Sequence, residues 1–431
     1  MTPPTAYPNQ RPLRVAVLVD LERRPAAGGH VKCWERLAEA AARRDDGSID
    51  LTVHFQGAPG TSEVLTPNVR IVAHAPVFST RRLPFLGDNP DHTDLAPYHP
   101  RLMRALAGAD VIHTTDAYFA YAQTAVRAAR HSGAALVTSI HTETPAYSAV
   151  YADKALRRVF GAWAGQVLTE KLRVPERIAE SMRRKLVRHA RECSFVLIGP
   201  QSDIAAARHL FGDRVAVLRR GIDRDRFNPA RRDREWLQRE YGITPDRFVL
   251  FFAGRVDAGK SVMTLAEAAA LLRARGIGVH ALIAGEGADS PRIAALLGLD
   301  ATLPGNVPQD VAARLYASSD LFVFPSRVEI APNVVIEAKA SGLPVLAAPE
   351  GGGVFISRSG ADGLVVESTD PAAWADAIAA MIADPLRRRS MAEAGLAELS
   401  ARHPSWDDVY REDVVPIWRR AVSMRTAARS A

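Results

Sequence analysis

The stretch Phe248-Val249-Leu250-Phe251-Phe252-Ala253-Gly254-Arg255-Val256-Asp257-Ala258-Gly259-Lys260-Ser261 decides the fold. Its first six residues are all apolar, which marks a strand buried on both faces. Gly254 ends the run, and helical spacing takes over at Met263–Arg273. A buried strand that turns through glycine into a helix is the repeating unit of a parallel sheet covered by helices. The same alternation continues outward. Downstream strands are expected at Val279–Ala284, Ala301–Pro304, Leu321–Pro325, Leu343–Ala348 and Gly363–Val366. Upstream they are expected at Leu13–Asp20, Leu51–Phe55, Arg70–Ala73, Asp110–Thr114, Ala135–Ile140, Ser194–Gly199 and Val215–Leu218. A turn-rich segment, Arg219 to Arg232, separates the two series. The pattern predicts an α/β protein with two doubly wound domains, 1–210 and 211–404. A C-terminal helix and tail, 405–431, carries Trp406, Tyr410, Val414 and Trp418 on one stripe. Ligands in such sheets sit at the carboxyl ends of strands, so a cleft between two facing domains is the expected site.

Composition narrows the class. The chain has 431 residues, 47% hydrophobic and 24% charged, with a formal net charge of +7. That excludes a disordered chain and a collagen. Two cysteines, Cys33 and Cys193, lie far apart with no Cys/His cluster, which argues against a zinc site and for a reducing compartment. Met1 to Pro12 is polar and proline-rich, and no apolar run is long enough to span a bilayer. A cytoplasmic location is expected, at most peripheral at the inner membrane surface.

The positive charge is concentrated. Between Lys154 and Arg191, eleven Lys/Arg face three Glu. Leu156, Val159, Phe160, Trp163, Val167 and Leu168 form one helical stripe, and Ile178, Met182 and Leu186 a second, with Pro175 between. The segment reads as two core-packed helices with a solvated basic face, or as a surface for anionic lipid head groups. Nothing in it supports nucleic-acid binding.

Gly254 to Ser261 also spells G-x-x-x-x-G-K-S between a strand and a helix, the context of a P-loop that cradles phosphates. A P-loop NTPase is therefore the runner-up. A full α/β domain before the motif and no magnesium-holding Asp at the end of a later strand count against it. Further on, Pro325-Ser-Arg-Val-Glu329-Ile-Ala-Pro332-Asn333-Val334-Val-Ile-Glu337 sets two carboxylates eight positions apart around a helix start. The amides of that helix N-terminus attract anions. A phosphate held there would have Glu329 beside a sugar hydroxyl and Glu337 beside a ribose.

These passages resemble the retaining GT-B glycosyltransferases of the large family-four group. Glu329 to Glu337 resembles its E-x7-E signature, and Arg220-Gly-Ile-Asp-Arg-Asp-Arg-Phe-Asn-Pro229 its link into the second domain. Gly254-Arg255 with Lys260 looks like its diphosphate site, and Gly305-Asn-Val307-Pro-Gln309 like the loop near the nucleotide base. Gly28-Gly29 is similar to its N-terminal glycine-rich loop, and Ser139-Ile-His141-Thr142 to its cleft histidine. The match covers nearly the whole chain in order. One departure is Pro332, which lacks an N–H, so anion binding would rest on Asn333 and Val334.

The resemblance implies two Rossmann-like domains and transfer of a hexosyl group from a UDP- or GDP-sugar, with retention and no cofactor or metal. Arg255 and Lys260 would stabilise the leaving diphosphate, which gains charge in the transition state. Glu329 would bind donor-sugar hydroxyls, Glu337 the ribose, and His141 the sugar or the forming oxocarbenium. A satisfied core histidine is the alternative for His141, and His113 is read as structural. Gly29 and Gly254 would let backbone approach the donor closely. Within the group, Ala96-Pro-Tyr-His-Pro100 and Asn333-Val-Val-Ile-Glu337 lean toward mannosyl- and sulfoquinovosyl-type lipid enzymes. The acceptor is expected to be a lipid, with a soluble small molecule as the alternative. A nucleotide-sugar hydrolase or epimerase without an acceptor is a third class.

Overall fold

The computed structural model describes residues 11–24, 28–58, 61–82, 93–141, 144–199, 203–327 and 332–430. The chain divides into two units. One takes the chain up to Arg219 together with Asp407 onward, and the other is Arg220–Trp406.

The first unit is built on eight strands: β1 (Leu13–Glu22), β2 (Ile49–Gln56), β3 (Ser62–Thr66), β4 (Val69–His74), β5 (Val111–Thr114), β6 (Ala135–Ser139), β7 (Phe195–Ile198) and β8 (Val215–Val217). They lie in the order β3-β4-β2-β1-β5-β6-β7-β8. All neighbours are parallel except the β3–β4 pair. The chain moves outward on one side of β1 and then restarts at β5 on the other, so the switch point falls between β1 and β5. The C-terminal helix, Val415–Ser430, returns to this unit. Its Trp418 is buried and donates its indole N–H to His113 Nδ1 on β5 at 3.0 Å. Burial pulls the His113 pKa down to about 3, so the ring is neutral and can accept that bond. Arg425 of the same helix donates to the Ala134 carbonyl at 2.9 Å, and Arg420 lies over the Phe195 ring.

The second unit holds β9 (Phe248–Ala253), β10 (Val279–Ala284), β11 (Ala301–Gly305), β12 (Leu321–Phe324), β13 (Val345–Ala347) and β14 (Leu364–Val365). The sheet is wholly parallel, in the order β11-β10-β9-β12-β13-β14. Its switch point falls between β9 and β12. Val249, Leu250, Phe251 and Phe252 are buried at 0%, as a strand covered on both faces requires.

Two features depart from the sequence reading. The first is β3, an edge strand with Val64 exposed. It carries no core face and so gives no periodic signal. The second is the first stripe of the basic segment. Val159, Phe160 and Trp163 do not pack into a core but are 54%, 55% and 81% exposed. The helix Thr144–Gln166 is broken at Gly161, with φ 74° and ψ 177°. Gly165 then lies against Arg157, so closely that a Cβ would stand 2.8 Å from the Arg157 Cα. On a straight helix residues eight apart are separated by about 12 Å along the axis. The chain therefore folds back at Gly161, and the stripe cannot stay continuous.

Candidate functional site

The residues singled out in the second unit gather at the carboxyl edge of its sheet. Gly254, at φ 146°, leaves β9 in a conformation closed to other residues. Arg255 follows, and Val256 donates to the Glu286 carbonyl at 2.9 Å. Lys260 closes a 3-10 turn, Ala258–Lys260, whose start is capped by Asp257 Oδ1 accepting the Lys260 N–H at 3.2 Å. Ser261, at φ 52°, then turns the chain into the helix Val262–Ala274. The other carboxylate oxygen of Asp257 lies 3.3 Å from Arg255 Nε, which is buried and makes no hydrogen bond among the described residues.

Loops from the neighbouring strands pin this turn. Gly285, after β10, passes Gly254 so closely that a Cβ would stand 1.8 Å from the Gly254 carbonyl oxygen. Gly287 makes the same approach to the Val256 carbonyl, at 2.2 Å. Gly285 N–H donates to the Gly305 carbonyl, which leads to the partly buried Val307. The first three carboxyl-end loops are thus one hydrogen-bonded assembly.

Across the switch point, Pro332 precedes the helix Asn333–Ala340. The amides of Asn333 and Val334 occupy its first turn, where no intrahelical acceptor exists. Asn333 Oδ1 is buried without a hydrogen-bond partner among the described residues. Glu337 lies on the same helix and accepts the hydroxyl proton of buried Tyr316 at 3.1 Å. Burial and the Glu337 charge hold the Tyr316 phenol well above its usual range, so it stays a donor. Behind β13, Gly351 meets the Ser326 carbonyl at 1.7 Å from a Cβ position, laying a second glycine loop on the one after β12. Glu329 lies outside the described residues, as does Thr142.

In the first unit, Gly29 opens the helix Gly29–Arg43 at the carboxyl end of β1, and among the described residues nothing comes within 4 Å of its Cβ position. His141 follows β6 and is 7% exposed. Its Nε2 accepts the Trp34 indole N–H at 3.1 Å and lies 2.8 Å from Ser139 Oγ. An indole only donates, so the neutral ring carries its proton on Nδ1. The His30 ring, one residue after Gly29, stacks on it at 4.4 Å and 10°. Gly29 and His141 are thus neighbours, each at the carboxyl edge of the sheet.

Sequence reasoning missed Tyr316, Asp257 and the pinning glycines. The spellings Gly285-Glu-Gly287 and Gly351-Gly-Gly353, each just after an expected strand, were the available signal for the last. No group of three or more His, Cys, Asp or Glu among the described residues is placed to hold a metal ion.

Comparisons with known proteins agree with the fold. The architecture is that of the GT-B glycosyltransferases. The chain superposes on sucrose-phosphate synthase from Thermosynechococcus elongatus with a TM-score of 0.68 at 19% identity, over 95% of this chain and 99% of that one. It superposes on HepE from Anabaena, solved with UDP-glucose, with a TM-score of 0.61 at 17% identity, over 96% and 99%. Residues 247–384 match the family described as glycosyl transferases group 1, and the turn and helix just described lie inside that matched segment. Among curated relatives, a D-inositol 3-phosphate glycosyltransferase of Geodermatophilus obscurus is 36% identical over 233 residues, 51% of this chain and 50% of the relative. One of Nocardia farcinica is 37% identical over 192 residues, 42% of each chain. The chain spans about half the length of the curated relatives it matches or less. Their name is not that of the mannosyl- and sulfoquinovosyl-type lipid enzymes toward which the sequence leaned.

Proposed function

We propose that the protein transfers a hexosyl group from a UDP- or GDP-sugar to an acceptor hydroxyl, with retention of configuration and without a metal. The observation that carries this reading is the Gly254–Lys260 turn, pinned at the switch point of a parallel sheet inside the group 1 match. Backbone amides there, with Arg255 and Lys260, provide the fixed positive potential that a departing diphosphate needs. The bond from the anomeric carbon to the diphosphate breaks, a bond to the acceptor oxygen forms, and the acceptor proton passes to the leaving phosphate. Glu337, steadied by Tyr316, takes the ribose hydroxyls. Val307 lies by the base, and Asn333 and Val334 turn their amides to phosphate. Glu329 takes the sugar hydroxyls. His141, with Nδ1 protonated, serves the sugar, and Gly29 allows close backbone approach to the donor.

Two acceptor classes stand. The name of the relatives favours a soluble polyol phosphate. The exposed aromatic segment at 159–163 favours a lipid. The same glycine-lysine turn keeps an NTPase as the competing class. Incubating the full chain with UDP- and GDP-hexoses, an inositol phosphate or a lipid extract, and EDTA separates them. Mass spectrometry should find a hexosylated acceptor, and proton couplings should show the donor's anomeric configuration. Release of free hexose with every acceptor, or a strict divalent-metal requirement, would count against the proposal.

A further inference from the structure

The fold-back at Gly161 creates a surface that the nucleotide site does not use. Val159 and Phe160 stand before the turn and Trp163 just after it, all three exposed. Trp34, Trp236, Trp374, Trp406 and Trp418 are all 8% exposed or less, so Trp163 is the one tryptophan of six in water. Gly165 packed on the Arg157 backbone, and Arg157 bonded to Asp153 and Thr169, hold the two arms of the turn together. The apolar side chains thus crown a braced tip rather than a loose loop.

Cations continue from that tip. Arg158 is exposed directly beside Val159, and Lys171, Arg177, Lys185, Arg188 and Arg191 are exposed along the following helices. None of these six makes an ion pair among the described residues. Isolated tryptophan and phenylalanine at a tip, backed by unpaired cations, match the two layers of an anionic membrane surface. Aromatic rings favour the interfacial zone, and Lys/Arg favour the phosphates above it. Two other occupants fit less well. A second copy would bring two strongly positive faces together, and a nucleic acid offers no hydrocarbon to Val159 and Phe160.

We propose that the 159–163 tip docks the protein on anionic lipid bilayers, with Phe160 and Trp163 entering the interface and Arg158 with the helical cations neutralising head groups. This does not depend on the reading of the nucleotide site.

The test uses the full chain with vesicles of phosphatidylcholine alone and of phosphatidylcholine mixed two to one with phosphatidylglycerol. Expected are co-flotation with the anionic vesicles only, a blue-shifted tryptophan emission, and quenching by brominated lipid. Trp163→Phe should abolish the emission change while retaining flotation. Phe160→Ser with Trp163→Ser should remove flotation and leave the thermal melt and nucleotide binding unchanged. Arg158→Glu should lower partitioning by roughly fivefold or more, in line with the contribution of one surface cation. No flotation, equal flotation on neutral vesicles, or unquenched Trp163 would overturn the proposal. So would self-association abolished by the Trp163→Ser change, or binding to duplex DNA in place of vesicles.

Discussion

Lys339 offers a severe test of how the second unit is held together. It is 2% exposed on the helix that carries Glu337. Its ammonium donates to Asp362 at 3.0 Å, to Glu398 at 2.9 Å and to the Phe355 carbonyl at 2.8 Å, so all three protons are used. Burial works to raise the Asp362 carboxyl, but the Lys339 ammonium and the Arg358 and Ser357 amides override it and leave it below the usual range. Glu398 is likewise pushed up by burial and brought below its usual range by Lys339 and Ser357. Lys339→Met keeps the stem and removes the charge, leaving Asp362, itself 2% exposed, as a buried anion without its cation. Removing one partner of a buried ion pair costs about 3–5 kcal/mol. The pH dependence follows from the sign of each shift. In the native protein both carboxyls titrate below their unfolded values, so the cluster's contribution is complete above those values and is lost as pH falls through the depressed ones. In the variant only the Arg358 and Ser357 amides still oppose burial, so the Asp362 pKa rises above its value in the native protein. Asp362 of the variant then holds its proton to higher pH than in the native protein, so the stability gap between the two narrows as pH falls from 7 toward 4. Urea unfolding, followed by the emission of Trp236 and Trp374, measures both proteins across that range. The gap should be widest at pH 7 and shrink by pH 4. A gap under about 1 kcal/mol, or one independent of pH, would refute the reasoning.

Other expectations are simpler. Gly285→Ala should destabilise the second unit by at least about 3 kcal/mol and abolish nucleotide binding, since a Cβ meets the Gly254 carbonyl and φ is +139°; urea unfolding and calorimetry check it. Trp418→Phe removes the donor to His113 Nδ1 and should cost about 1–3 kcal/mol, read as a lower melting temperature, whereas Trp163→Phe should leave the melt unchanged. Tyr316→Phe removes the hydroxyl that steadies Glu337 and should raise the donor KM several-fold while changing kcat little, which steady-state kinetics would show.

Much of the fold was legible because both sheets, apart from the edge strand β3, are parallel and covered. Each core strand announces itself as a short apolar run, and Phe248–Ala253 and Val279–Ala284 appear with their expected limits. The tail stripe of Trp406, Tyr410, Val414 and Trp418 is buried throughout. Strand β3 was silent because an exposed edge needs no apolar alternation. The Val159–Trp163 stripe misled because periodicity reports a helix but not what covers it, and one glycine at positive φ redirected its face. In the site, the motif residues were legible as spellings. Tyr316 was not, because a buried aromatic on a helix looks like core until its hydroxyl is seen bonded to Glu337. The pinning of Gly285 and Gly287 likewise depends on contacts between loops distant in sequence.

In the proposed reaction the Gly254–Lys260 turn holds the diphosphate of a nucleotide sugar. Calorimetric titration of the full chain with UDP and GDP in EDTA, beside ATP with magnesium, reads that binding. One of the two diphosphates should bind without metal, and Lys260→Ala should weaken it by roughly tenfold or more, the loss of one charge-assisted contact, with an unchanged melt of the free protein. Preferential binding of magnesium-ATP, or diphosphate binding indifferent to Lys260→Ala, would contradict it.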